Sequence, residues 1–127
     1  MISIVDDDAW ARSGIRDLIL SLGYEAHAFE SAEQFVESGF VEHTTCLITD
    51  LQMPGLSGLD LQRQLRHEGR RMPIIFVTAH ASEKSRACAL KDGALSFLSK
   101  PVNEQSLIEC LNRAIRLVGE PEDSPPS

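Results

Sequence analysis

The chain has 127 residues, 43% of them hydrophobic, 24% charged and 6% aromatic, which is the length of one hydrophobic core and the composition of an ordinary globular domain. Twelve Lys and Arg stand against nineteen Asp and Glu, for a net charge of -7, with Glu120, Glu122 and Asp123 gathered in the tail. The size argues against a two-domain enzyme, and the charge against a duplex-binding domain, which needs excess positive charge to neutralise phosphates.

The elements alternate between short apolar runs and longer stretches of helical period, so the chain reads as repeated βα units. A first strand, Ile2 to Val5, leads into a helix on which Ala11, Ile15, Leu18, Ile19 and Leu22 repeat at helical spacing, closed by Gly23. A second strand, Tyr24 to Phe29, precedes a helix opened by a Ser31/Gln34 capping box and ended by Gly39. Cys46 to Thr49 is the third strand, and Ser57 to His67 the third helix, stopped by Gly69 and Pro73. Ile74 to Val77 and Ser82 to Lys91 form the fourth pair, with Gly93 just beyond. Ser96 to Leu98 is the last strand. The final helix runs from Glu104 to about Val118, with Asn103 as N-cap and Leu107, Leu111, Ala114 and Val118 on one face. Residues 1–118 are thus expected to form one domain, and 119–127, GEPEDSPPS, an acidic tail or the start of a linker.

Cys46, Cys88 and Cys110 lie in apolar contexts without CxxC spacing, and no apolar run approaches the roughly 18 residues of a membrane helix. Reduced core thiols and a cytoplasmic location are expected, with no membrane contact and nothing left over at Met1 for targeting.

Three of the strands are continuous apolar runs that end in polar residues, the pattern of parallel strands covered on both faces. Right-handed crossovers then give an α/β fold, a doubly wound five-stranded parallel sheet with five helices. Ligands of such sheets bind beyond the carboxyl ends of the strands. There the sequence places Asp6, Asp7 and Asp8, then Asp50, Thr78 and Lys100-Pro101. Carboxylates occupy the first βα turn where a phosphate-binding loop would carry glycines, which argues against dinucleotide, P-loop and flavin sites. Two carboxylates about 4 Å apart repel by roughly 4 kcal/mol at an effective dielectric near 20, so Asp6, Asp7 and Asp50 call for a cation, and sparse hard oxygen ligands suit Mg²⁺. Helix capping explains Asp8, but not the arrival of Asp50, Thr78 and Lys100 at the same edge.

The motifs IVDD, TDLQMPGLSG, FVTA and SKP resemble, in order and separation, the receiver domain of two-component response regulators, and most resemble those whose output is a LuxR-type helix-turn-helix domain. The resemblance covers residues 1–118 and implies the flavodoxin-like (βα)5 fold. It implies a phosphoacceptor at Asp50, supplied by a histidine kinase or phosphotransfer protein, with Thr78 and Lys100 completing the reacting set. Mg²⁺ would be held by Asp7, Asp50 and the backbone carbonyl of Gln52, with Asp6 acting mostly through water. Such a domain is a signalling module, not an enzyme in the usual sense, that catalyses its own phosphotransfer and dephosphorylation. A cis Lys100-Pro101 bond is expected.

The same resemblance implies a switch in which Thr78 turns toward the phosphoryl group and Phe97 turns inward, with a static core Phe as the alternative. The face made by the fourth helix, fifth strand and fifth helix would then change shape, offering Ile108 and Ile115 to a homodimer or an output contact. Val102 departs from the aromatic residue common after the Lys-Pro pair, and Gln52 and His80 hold positions that tune the phosphoryl lifetime. Trp10 falls off the stripe of the first helix, so a half-exposed anchor for a kinase helix competes with a Trp packed on a neighbour. Two other functions compete. A haloacid dehalogenase-type phosphatase would want an acid two residues after the nucleophile, where this chain has Gln52. A scaffold module has no need of the full set of acids, Thr and Lys.

Overall fold

The computed structural model describes residues 1–119, with side chains through Leu117. The expected place of Val118 on the core stripe and the tail beyond Gly119 lie outside the described residues. The strands are β1 (Ile2–Val5), β2 (Ala26–Phe29), β3 (Cys46–Thr49), β4 (Ile74–Thr78) and β5 (Ser96–Ser99). The helices are α1 (Ala9–Ser21), α2 (Ala32–Glu37), α3 (Gly58–His67), α4 (Glu83–Lys91) and α5 (Glu104–Gly119). A single 3-10 turn at Val41–His43, not anticipated in the sequence, leads into β3.

All five strands pair in parallel in the order β2-β1-β3-β4-β5. Strand alternation divides the core in two. Val5, Leu47, Ile74 and Phe76 face α2, α3 and α4, where they meet Phe35, Leu61, Leu65 and Ala89. Ile4, Cys46, Ile48, Ile75 and Val77 face α1 and α5, meeting Ile15, Ile19, Leu107, Leu111 and Ala114. Each fully buried Ile, Leu or Phe contributes roughly 1.5–3 kcal/mol of hydrophobic free energy, so these two clusters supply most of the drive to fold.

The helix starts follow the chemistry read from the sequence. Asp8, Ser31, Ser57 and Ser82 each accept a backbone N–H of the first turn of their helix. At Ser31 the box is modified, because Gln34 Oε1 accepts from Glu30 N at 2.7 Å instead of from Ser31. Three expectations are corrected. The second strand begins at Ala26 because β1 offers only four residues and Ile2 pairs with Ala26, leaving Tyr24 and Glu25 as a lead-in. Leu22 is 38% exposed, because the helix has already ended at Ser21 and Leu22 is its C-cap. Trp10 is 88% exposed where half-exposure was expected, since it sits in the first turn of α1, ahead of the buried Ile15 and Ile19 that seat the helix on the core.

Helices α3 and α4, which cover the same face of the sheet, are also joined by polar contacts. The buried Gln62 of α3 donates through Nε2 to the carbonyls of Ala89 (3.0 Å) and Asp92 (3.2 Å), at the C-terminal end of α4. Arg66, one turn on, donates to the carbonyl of Gly93 at 3.4 Å.

Candidate functional site

In this strand order the chain reverses direction across the sheet between β1 and β3, and in sheets of this kind ligands bind beyond the carboxyl ends at that switch point. Val5 of β1 stands opposite Thr49 of β3, so the next residues, Asp6 and Asp50, emerge side by side. Asp6, Asp7 and Asp50 each bring a carboxylate oxygen to within 4.8 Å of the others. Asp6 and Asp50 are buried, whereas Asp7 faces solvent.

Lys100 enters from the end of β5. Its Nζ donates to Asp6 Oδ2 at 2.9 Å and to Asp50 Oδ2 at 3.0 Å. The rest of each carboxylate is also held. Asp6 Oδ1 accepts from Asp8 N at 2.9 Å, and Asp50 Oδ1 accepts from Leu51 N (2.6 Å) and more weakly from Gln52 N (3.4 Å). Burial pushes the Asp6 carboxyl above the ordinary aspartate range, and the Asp50 charge adds to this, against the lowering by the Lys100 ammonium and the Asp8 amide. Burial draws Lys100 down, but its bonds to Asp6 and Asp50 outweigh that and hold its ammonium above the ordinary lysine range.

Three clustered carboxylates against one ammonium leave negative charge uncompensated, and their oxygens are hard donors on a partly open rim. This donor set fits Mg²⁺.

Thr78 is fully buried at the end of β4, and its Oγ1 accepts from His80 N at 3.1 Å. Its carbonyl accepts from Lys100 N at 2.9 Å, which ties the ends of β4 and β5 together. Ala79 beside it is exposed, and the Lys100-Pro101 bond is cis. Gln52 is exposed in the loop after Asp50. Phe97 is half-buried, pairs with Phe76 across the strands, and tilts against its ring at a centroid distance of 6.1 Å. Asp8, as expected, caps α1, its Oδ1 accepting from Trp10 N at 3.0 Å.

Gly58, buried at the start of α3, is required by close approach. Its N–H donates to the Leu51 carbonyl at 2.8 Å, and a Cβ at this position would collide with the Asp50 carbonyl oxygen. Arg12, which the sequence reading passed over, donates through its guanidinium to the Asp6 carbonyl at 2.8 Å. Its signal was present: a cation one turn beyond the acidic segment on α1.

Beside the cluster, Trp10, Gly14 and Leu18 of α1 face Pro101, Val102 and Glu104 across a groove of about 600 Å³. A larger cleft of about 920 Å³ lies at the other end of the sheet, but it holds no part of the acidic cluster. Its Arg66 is held by the carbonyls of Arg70, Met72 and Gly93, and its Arg70 lies near Glu42 and Glu68.

Residues 2–112 match the family model described as "Response regulator receiver domain". Nodulation protein W of Bradyrhizobium diazoefficiens is 39% identical over 111 residues, covering 87% of this chain and 49% of that protein. Response regulator protein TodT of Pseudomonas putida is 35% identical over 126 residues, covering 99% and 56%. Other relatives are named transcriptional regulatory proteins. The chain spans about half the length of these curated relatives. Among solved structures, that of response regulator StyR superposes with a TM-score of 0.86 at 38% identity, covering 96% of this chain and 62% of that one.

Proposed function

The chain belongs to the response regulator receiver domain family, and we propose that Asp50 is the carboxylate on which its signal is written. As a receiver it is a signalling domain of two-component systems. The observation that carries the finer reading is the convergence of Lys100 Nζ on Asp50 and Asp6 with Asp7 at the rim.

A carboxylate oxygen of Asp50 attacks the phosphorus of a phosphohistidine on a histidine kinase or phosphotransfer protein. The P–N bond breaks, its electron pair stays on the imidazole, and an acyl phosphate forms on Asp50. There is little covalent work for the protein to do, so catalysis is positioning and electrostatics. Lys100 neutralises charge on the transferred group, and the Leu51 amide fixes the carboxylate it joins. Asp7, Asp50 and the Gln52 carbonyl would hold Mg²⁺, with Asp6 behind them. When bound, the ion supplies positive charge for the phosphoryl oxygens that the three acids alone would repel. Self-catalysed loss of the phosphoryl group to water follows from the same arrangement, with exposed Gln52 and His80 flanking the path.

The output half of the reading joins Thr78, whose hydroxyl exchanges its bond to His80 N for the new phosphoryl oxygens, to Phe97, which turns inward. The surface of α4, β5 and α5, including half-buried Ile108 and Ile115, then takes up a homodimer contact or an output partner, with transcription as the regulated process. The groove under Trp10 is the proposed seat of the kinase's helix. Residues 1–118 form the receiver and 119–127 an acidic tail or the start of a linker. The described part has no helix long and apolar enough to cross a membrane. Its free cysteines agree with a cytoplasmic location, where the domain makes no direct contact with nucleic acid.

Incubation with Mg²⁺ and acetyl phosphate tests the central claim. The wild-type chain should gain one labile phosphate and Asp50→Asn none. Rapid turnover of many equivalents with no phosphoprotein accumulating would indicate a phosphatase instead, and no uptake at all a scaffold.

A further inference from the structure

Glu33 stands apart from the strand-end cluster, on the first turn of α2, yet it reaches the loop that follows Asp50. Its Oε2 accepts the Leu56 backbone N–H at 2.9 Å across 23 residues of chain. Gly55 packs so closely beneath it that a Cβ there would collide with the same oxygen, and Gly55 adopts a φ of +81°, which L side chains rarely take. The donated Leu56 amide therefore ties this loop to one carboxylate, and the bare Cα of Gly55, which its φ already calls for, leaves room for that carboxylate.

The carboxylate has a firm base. Ser31 caps α2, Ala32 and Phe35 are buried in the core, and the N-terminal end of a helix favours negative charge. On the inner side of the same loop Met53 is buried, and Leu56 is half-buried against that core cluster. The loop is thus gripped from outside by Glu33 and from inside by apolar side chains. Its first residues give Asp50 Oδ1 the amides of Leu51 and Gln52.

We propose that Glu33 is a positioning residue for the cation site: by holding Gly55 and Leu56 to α2 it fixes the loop that presents the Gln52 carbonyl beside Asp50. The inference rests on the reading of Asp7, Asp50 and Gln52 as that site. Because Glu33 is exposed, water competes for its bond, and the effect is modest, about three- to tenfold in Mg²⁺ affinity.

The experiment uses the full chain and two readouts, hydrogen exchange at the Leu56 amide without metal and Mg²⁺ titration followed by backbone amide shifts. Glu33→Ala should speed Leu56 exchange by about tenfold and weaken Mg²⁺ binding by about three- to tenfold, with little change in Tm. Glu33→Gln keeps an acceptor oxygen and should recover most of both. Unchanged Leu56 exchange and Mg²⁺ affinity in Glu33→Ala would overturn the proposal. So would equal losses in the Gln and Ala variants, which would mark a long-range charge effect instead of a tether. A wild-type chain with no saturable Mg²⁺ response would overturn the cation site itself, an outcome kept distinct because the Leu56 comparison needs no metal.

Discussion

The Lys100 ammonium lies 3.0 Å from Asp50 Oδ2, and the same nitrogen reaches Asp6 at 2.9 Å, so one cation is shared by two buried carboxylates. Removing it leaves two like charges facing each other at the end of the sheet. Lys100→Ala should cost about 1–3 kcal/mol without metal, and Mg²⁺ should restore more stability to this variant than it adds to the wild type. Urea unfolding with and without Mg²⁺ reads both terms. Equal Mg²⁺ stabilisation of the two proteins would show that the ion and the lysine do not answer the same charges.

Asp7 and Asp8 are neighbours with different work. Asp8 Oδ1 caps α1 through Trp10 N, and Asn caps as well as Asp, so Asp8→Asn should leave both stability and Mg²⁺ affinity nearly unchanged. Asp7→Asn removes a carboxylate from the rim of the cluster and should weaken Mg²⁺ binding by more than about tenfold. Metal titrations giving equal losses would reverse the assignment.

Gly58→Ala is expected to lower stability by about 3 kcal/mol, because the new methyl has to displace the Asp50 carbonyl. Since that carbonyl belongs to the proposed phosphoacceptor, uptake of phosphate should fall as well. A urea midpoint equal to that of the wild type would mean the start of α3 can move aside freely.

Burial pushes the Cys46 thiol up to about 12. In the unfolded chain the thiol ionises first, so the folded state binds the extra proton. This contribution to stability is complete below the ordinary thiol value and is lost toward the folded one, at roughly 1.4 kcal/mol per pH unit between them. Cys46→Ala should flatten that alkaline decline in unfolding experiments, and iodoacetamide should modify half-buried Cys88 well before Cys46 in the native protein.

Thr78→Ala removes the acceptor of the His80 amide, at a cost of about 1 kcal/mol, but leaves the backbone bond from Lys100 N in place, and the lost hydroxyl makes no hydrogen bond to Asp50 or to the Lys100 ammonium. Phosphate uptake should persist while the response of α4, β5 and α5 is lost. Sedimentation and hydrogen exchange over residues 82–117, with and without beryllofluoride, check this. A wild-type-sized change in Thr78→Ala would remove Thr78 from the switch.

Much of the fold and the site was legible in the residues themselves. Strand β3 and the body of β4 are unbroken apolar runs with abrupt polar ends, and β1 closes on Ile4 and Val5 before its acids, so the edge where Asp6, Asp50 and Thr78 gather could be read directly, although β4 runs one residue further than expected, to Thr78. Boundaries set by a partner could not. The start of β2 depends on where β1 begins, and the exposure of Leu22 on the helix ending one residue early. Glu33 left no local trace, since its partner lies on another element 23 residues away and an acid in a first helical turn has an ordinary explanation in the helix dipole.

The grip of Gln62 and Arg66 on the end of α4 gives that helix unequal ends. Its last carbonyls are fastened to α3, while among the described residues its first turn makes no hydrogen bond to another helix or strand, only the local Ser82/Ser85 box. A rod fastened at one end answers a push by tilting. Nine residues span about 13.5 Å, so each ångström of displacement near Ser82 amounts to about 4° of rotation about the α3 clasp. Gln62, buried in α3, stands at the fastened end, where both hydrogens of its amide are already committed to the carbonyls of Ala89 and Asp92.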